Sequence, residues 1–274
     1  MQPTLFHRSL RWFGLNFPRV KGINWALRRM HPPGPQLGSP LATEIRAIWD
    51  GPRFHVDTRS YLEWLVYFYG SQSRPMHQWI RKHVMPEWVC MDVGMNFGFI
   101  TCLFAQRSHW VHAFEPVDSL VERARSNCAL NKFTNVTINR LVLSDRDGET
   151  EFNLPNPNTG NWGTGSLVYP QMAGTVRIPS ITMDRYCDEH QLKRLDVVKI
   201  DVEGAEALVL SGAINTLQML RPCILFEKNA GSLSECAQIL KDSAYRLFDL
   251  RGRPFRPSMV TDRHCADLVA MPAG

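Results

Sequence analysis

From residue 88 onward the chain alternates short apolar runs with amphipathic stretches. Val89 to Val93 is an apolar run carrying one acid, Asp92, and predicts a buried strand. A Gly-rich turn leads into a helical stretch, Phe99 to Gln106. Val111 to Phe114 predicts a second strand, closed by Glu115-Pro116. Ser119-Leu120-Val121-Glu122 has the capping-box spacing, and Leu120, Val121, Ala124 and Cys128 give the following helix one apolar face. Asn135 to Leu143 reads as a third strand, ending at Ser144-Asp145.

Residues 149 to 183 interrupt this rhythm with extended segments around a Gly/Asn/Pro-rich loop, Pro155 to Gly165. The alternation resumes with a strand Leu195 to Ile200 ending at Asp201, and a helix Ala205 to Leu220 closed by Arg221-Pro222. A strand Cys223 to Phe226 ends at Glu227, and Ser232 to Lys241 is helical. Tyr245 to Leu250 and Ala266 to Ala270 form terminal strands, with a turn at Arg251-Gly252. Upstream, Ile45 to Val56 reads as a hairpin around Asp50-Gly51. Tyr61 to Tyr69 and Met76 to Val84 read as helices whose aromatics, Trp64, Tyr67, Phe68 and Trp79, belong to the core.

The pattern divides the chain into three parts. Residues 1–43 are an extension and linker, broken by His31-Pro32-Pro33-Gly34-Pro35 and Ser39-Pro40. Residues 44–87 are a hairpin and helical lead-in, and residues 88–274 an α/β domain. Strands alternating with helices imply a mostly parallel central sheet with helices on both faces.

Charge changes the picture only at the N-terminus. Residues 1–43 hold six Lys/Arg (Arg8, Arg11, Arg19, Lys21, Arg28, Arg29) and no acid, whereas the remainder has 25 bases and 26 acids. The main domain is therefore not basic, and no nucleic-acid partner is expected. Residues 5–30 interleave these bases with Phe6, Trp12, Phe13, Phe17 and Trp25. Such a segment suits an anionic membrane surface, and it equally suits an arm packed on the core or on a second subunit. No apolar run of 18 residues occurs, and no run of signal-peptide type. Seven cysteines without a C-x-x-C pair point to reduced thiols and a cytoplasmic protein, soluble or peripheral to the membrane. No metal site is expected.

The candidate chemistry lies at the strand ends, where α/β sheets bind ligands. In Asp92-Val93-Gly94-Met95-Asn96-Phe97-Gly98, Gly94 permits a tight turn and Gly98 a close approach ahead of Phe99. Asn96 stands where a dinucleotide fingerprint has its middle glycine, which favours a cofactor without a pyrophosphate. Glu115, 23 residues after Asp92, can accept hydrogen bonds from both ribose hydroxyls, with Pro116 beside it. Ser144 and Asp145, or backbone beside them, can receive an adenine amino group. A loop for an amino-acid moiety, an acid for ribose and an acid for adenine together describe S-adenosyl-L-methionine.

These segments resemble the FkbM-type methyltransferase family. The resemblance rests on the 92–98 loop, Ala113-Phe114-Glu115-Pro116, Asn127 to Asn131 with Asn135-Val136, and Leu143-Ser144-Asp145. It continues in Lys199-Ile200-Asp201-Val202-Glu203-Gly204-Ala205-Glu206, Leu210-Ser211-Gly212-Ala213 and Arg221-Pro222. Met95 stands where the family has alanine, and Gly70-Ser71-Gln72-Ser73 where it often has an aromatic–glutamate pair. The resemblance covers residues 45 to 270. It implies a Rossmann-like class I methyltransferase fold, S-adenosylmethionine as cofactor, and O-methylation of a sugar, glycan or secondary-metabolite hydroxyl.

Methyl transfer to an alcohol needs alignment and a proton acceptor. Asp201 is the expected base or orienting group, Glu203 assists, and Glu227 on the next strand closes the site. Glu203 and Glu206 share a helical face if that turn is helical, and serve only the helix N-terminus if they are structural. Residues 161–166 are expected to line the acceptor. His77, His83, His109 and His112 lack a paired acid and read as structural. A nicotinamide-dependent oxidoreductase and a non-catalytic module of the same fold are the competing classes.

Overall fold

The structure is a computed structural model and describes residues 3–18, 20, 22–32, 41–156, 165–168, 174–256, 259 and 266–273. The chain opens with two short helices, α1 (Leu5–Asn16) and α2 (Ile23–Met30). Thr4 caps α1 by accepting from the His7 amide. The basic segment is thus helical, and it packs on the lead-in. β1 (Ala42–Arg46) and β2 (Arg53–Asp57) form the expected antiparallel hairpin, whose turn holds Trp49 and Asp50 at φ 58°. β1 begins two residues before the boundary drawn at residue 44. α3 (Tyr61–Tyr69) ends at left-handed Gly70, and α4 (Arg74–His83) follows with Pro75 in its first turn.

Gly14 fixes the crossing of α1 on α3. A Cβ there would lie 2.4 Å from the Phe68 carbonyl oxygen, so only glycine allows this approach. Arg11 donates to the Val66 and Tyr67 carbonyls near the C-terminus of α3, where a cation suits both the free carbonyls and the helix dipole. Leu10 and Leu27 are buried in the same apolar cluster as Trp64 and Phe68.

The main sheet joins seven strands in the order β11-β12-β10-β9-β3-β4-β5. These are β3 (Val89–Val93), β4 (Trp110–Phe114), β5 (Val136–Asn139), β9 (Val197–Ile200), β10 (Cys223–Glu227), β11 (Tyr245–Asp249) and β12 (Asp267–Pro272). The four pairings that join the five strands from β10 to β5 are parallel, and β12 alone runs antiparallel between β10 and β11. Alternation along each strand divides the core. Cys90, Val111, Val197, Leu225 and Val269 face α3, α4 and α5 (Phe99–Ala105). Met91, Val198, Ile224 and Leu268 face α7 (Met183–Glu189), α8 (Glu206–Ser211), α9 (Ile214–Met219) and α10 (Leu233–Asp242). Helices therefore cover both faces, as expected.

Three elements differ from the sequence reading. α6 (Asp118–Leu130) starts two residues earlier than the capping-box spacing implies; its N-cap is Val117 and no side chain caps it. The Glu115 carboxylate takes the Val117 amide instead. The stretch read as one strand from Asn135 to Leu143 is two. β5 edges the main sheet, and β6 (Val142–Leu143) leaves it to join β8 (Thr175–Ile181) and β7 (Gly148–Asn153) in a three-stranded sheet. The helix read as Ala205 to Leu220 breaks into α8 and α9 at Gly212, where a Cβ would meet the Ser144 carbonyl at 2.0 Å. Most of the 31–40 linker, and residues 157–164 and 257–265 apart from Met259, lie outside the described residues.

The six described cysteines are free thiols, five of them buried. Cys102 on α5 and Cys128 on α6 bring their sulfurs to 3.9 Å. Burial pushes Cys90 and Cys236 up to about 12 and Cys187 to about 11.

Candidate active site

Strand order reverses between β3 and β9, because β4 and β5 extend the sheet to one side of β3 and β9 and β10 to the other. A crevice opens at such a point, beyond the strand carboxyl ends. The chain has one there, holding about 800 Å³ of empty space, part of it open to solvent. Gly94, Asn96, Glu115, Pro116, Asp201 and Glu203 line it, as do Lys199, Gln72, Leu62 and a set of apolar residues.

The 93–98 turn is shaped by three left-handed residues, Gly94 (φ 80°), Asn96 (φ 54°) and Gly98 (φ 86°). A Cβ on Gly94 would fall 1.9 Å from the Asp201 carbonyl oxygen. The turn is thereby pressed against the end of β9, and Asp201 is brought beside it. A Cβ on Gly98 would come within 3.0 Å of the Ala124 Cβ of α6, and Asn96 stabilises its own turn by accepting from the Phe97 amide at 2.7 Å.

Glu115 is 6% exposed, and its two oxygens accept from the Asn96 amide (3.0 Å) and the Val117 amide (3.1 Å). These bonds lock it between the turn and α6. Burial pushes its carboxyl up to about 7, against the two amides. Next to it Val117, Leu120, Val142, Leu143 and Phe152 form an apolar slot.

At the other end, Lys199 is buried in β9 and its Nζ donates to the Asp201 carboxylate at 2.6 Å. Burial opposes its charge, but Asp201 and Asp92 outweigh this and raise its pKa. Glu203 sits at φ 52° and is followed by Gly204 at φ 95°. Burial, Asp201 and Glu206 together push Glu203 up to about 7. The same combination of burial and neighbouring acids lifts Glu227 to about 8 and Asp267 to about 6. Lys199 is the base that acts on all three.

Several expected site residues stand elsewhere. Asp92 is wholly buried beneath the turn, outside the crevice lining; it accepts from Thr101 Oγ1 at 2.5 Å, and its other oxygen has no partner among the described residues. Gly98 and Phe99 shape the turn from behind. Ser144 donates to Asp145, which lies beside Arg146, and neither lines the crevice although Leu143 does. Glu227 is close enough to repel Asp201 and Glu203 without lining the crevice. Glu206 does not share a helical face with Glu203, because the Glu203–Gly204 turn is left-handed. It is fully buried and braces that turn, accepting from the Gly204 amide (3.0 Å) and Ser232 Oγ (2.6 Å). Of the 161–166 segment, Gly165 lines the crevice and Ser166 donates to the Glu203 carbonyl at 2.8 Å; 161–164 lie outside the described residues.

Lys199, Asp267, Gln72 and the apolar slot were absent from the expected site. Lys199 had a signal, a lone base inside an apolar strand. Gln72 had one in the departure of Gly70-Ser71-Gln72-Ser73 from the family pattern, and Asp267 had none, since its place depends on how distant segments pack. Among the described residues no cluster of three His, Cys, Asp or Glu side chains is placed to hold a metal ion.

A family model described as a methyltransferase FkbM domain matches residues 92–247, more than half of the chain. The chain belongs to the FkbM methyltransferase family. It is 32% identical over 143 residues to the hexuronic acid methyltransferase AglP of Haloferax volcanii, covering 52% of this chain and 56% of that protein. It is 27% identical over 151 residues to the 2-O-methyltransferase NoeI of Sinorhizobium fredii, covering 50% of this chain and 61% of that protein. The FkbM chain thus spans little more than half the length of either relative. A crystal structure of methyltransferase FkbM from Methylobacillus flagellatus KT is similar over 77% of this chain and 54% of its own, at 14% identity and a TM-score of 0.44.

Proposed function

We propose that this FkbM-family chain is an S-adenosylmethionine-dependent O-methyltransferase acting on a sugar or glycan hydroxyl. One observation carries the cofactor reading: Glu115 is fixed by two backbone amides at the mouth of an apolar slot. The remaining lone pairs of such a carboxylate suit a ribose diol, and the slot suits a flat adenine ring. Asn96 puts a side chain where a pyrophosphate needs bare backbone, which weighs against a nicotinamide cofactor. The acids around Lys199 suit a cationic sulfonium and an amino group.

When bound, the cofactor supplies an electrophilic methyl carbon on sulfur. Asp201, held by Lys199, orients the acceptor hydroxyl as a hydrogen-bond acceptor. Glu203 would take the proton of the acceptor hydroxyl whose oxygen receives the methyl group that the bound cofactor would supply. The assignment favours Glu203 over Asp201 as base. The Asp201 carboxylate is already engaged by the Lys199 ammonium, whereas a carboxyl lifted to about 7, as Glu203 is, is matched to neutral pH. The names of the two relatives specify a hexuronic acid and a 2-O position, which supports a carbohydrate acceptor. The local excess of acids favours an acceptor that is neutral near its reacting hydroxyl.

Calorimetric titration tests this reading. S-adenosylhomocysteine should bind the wild-type chain, and Glu115→Ala should weaken it by roughly 100-fold, the loss of two hydrogen bonds to a charged group. Binding of NAD without S-adenosylhomocysteine would overturn the reading. Unchanged affinity in the variant would remove Glu115 from the ribose.

A further inference from the structure

The N-terminal helices carry a surface that the crevice does not use. α1 turns Leu10 and Gly14 against α3, and leaves Leu5 (81% exposed), Phe6 (53%), Trp12 (53%), Phe13 (48%) and Phe17 (44%) on its outer side. Trp12, Phe13 and Phe17 form an aromatic cluster, with ring centroids 5.1 to 6.2 Å apart. On α2, Trp25 is 69% exposed. Contiguous exposed aromatics of this size mark an interaction surface. Charge selects the occupant. Arg8 and Arg29 are exposed on the same helices, and residues 1–43 carry six bases and no acid. Two such faces from two copies would set Arg8 and Arg29 of one copy against the same bases of the other.

We propose that α1 and α2 form a docking face for a membrane containing anionic lipid. Trp12, Phe13, Phe17 and Trp25 enter the headgroup region, and Arg8 and Arg29 meet the lipid phosphates. The face lies on the membrane; among the described residues no helix is long and apolar enough to cross one. It is already assembled, since Gly14 and Arg11 lock α1 onto α3. Docking therefore needs little ordering of the chain.

Vesicle sedimentation of the full chain tests the proposal. Binding to phosphatidylcholine mixed with phosphatidylglycerol should clearly exceed binding to phosphatidylcholine alone, and should fall with salt. The combined change Trp12→Ser, Phe13→Ser and Phe17→Ser should lower partitioning at least about 10-fold. So should Arg8→Glu with Arg29→Glu, at roughly fivefold per unit charge. S-adenosylhomocysteine affinity should stay at the wild-type value in both, because neither touches the crevice. Brominated lipid should also quench the wild-type tryptophan emission, a readout that needs no variant. Equal partitioning into both vesicle types, or no quenching, would overturn the proposal. A concentration-dependent dimer that Trp12→Ser abolishes would also overturn it, by assigning the face to a second copy.

Discussion

Glu203 sits in a backbone conformation that non-glycine residues seldom adopt, and it is held there from two sides. Ser166 takes its carbonyl, and Glu206 takes the amide of Gly204. A carboxyl fixed in this way and lifted to about 7 changes charge across the neutral range. Activity that uses it as base should therefore rise as pH rises through about 7 and then level. Glu203→Gln should lower kcat by about 100-fold or more and abolish that rise, with S-adenosylhomocysteine affinity little changed. A pH profile of kcat/KM checks this; if Asp201→Asn removes the rise and Glu203→Gln leaves it, the two roles are exchanged. The strand-end positions of Glu115, Asp201 and Glu227 were legible in the apolar runs. The directions of their neighbours were less so. Asp92 shares the face of Cys90 rather than that of Val93, so period-2 alternation sends it under α5 to Thr101.

At the scale of elements, the turn after β3 depends on an approach that only glycine permits. Gly94→Ala combines a left-handed backbone with a Cβ 1.9 Å from the Asp201 carbonyl. The two effects should destabilise the fold by roughly 2–4 kcal/mol. Thermal unfolding would show this, and S-adenosylhomocysteine affinity should fall with it as β3 and β9 separate. A variant as stable as wild type would mean the turn is not pressed on β9. Periodicity located the strands of the main sheet and the helices between them, because each buries one face or two, but not α1, α2 or α7. It could not divide Asn135 to Leu143. Asn139 reaches the Ala113 carbonyl and the Tyr186 hydroxyl, and the chain turns beyond it, so β6 pairs with a different sheet. Nothing local tells Val142 which sheet it joins. The break at Gly212 follows from the same event, since β6 runs on into Ser144, whose carbonyl occupies the space a side chain would need.

Across the whole molecule, buried ionisable groups set the response to pH. Glu63, Glu115 and Glu203 are lifted to about 7, Glu227 to about 8 and Asp267 to about 6, each with burial as the largest cause. Carboxyls with raised folded pKa values stabilise the fold below the unfolded value, and that contribution is lost as pH rises through the folded one. Burial lowers His77 and His112 to about 4, and their contribution is present above 6.5 and lost as pH falls toward 4. Burial lowers His31 in the same direction, and the five carboxyls still outnumber these three histidines, so the melting temperature of the free protein should decline from about pH 5 to pH 8. Calorimetry across that range tests the sign, and a flat or rising profile would refute it.

The described cysteines give this molecule a further property. A thiol that is both enclosed and held far above its ordinary pKa scarcely reacts with a disulfide reagent until the chain around it opens. Labelling in the native protein is therefore a clock for local opening rather than a measure of thiol chemistry. Cys102, whose burial likewise holds its thiol high, lies on α5 behind the 93–98 turn, and Cys236 lies on α10 on the far face of the sheet. A ligand that steadies the turn should slow Cys102 more than Cys236. Occupancy of the crevice could then be followed by mass alone, without any acceptor in hand.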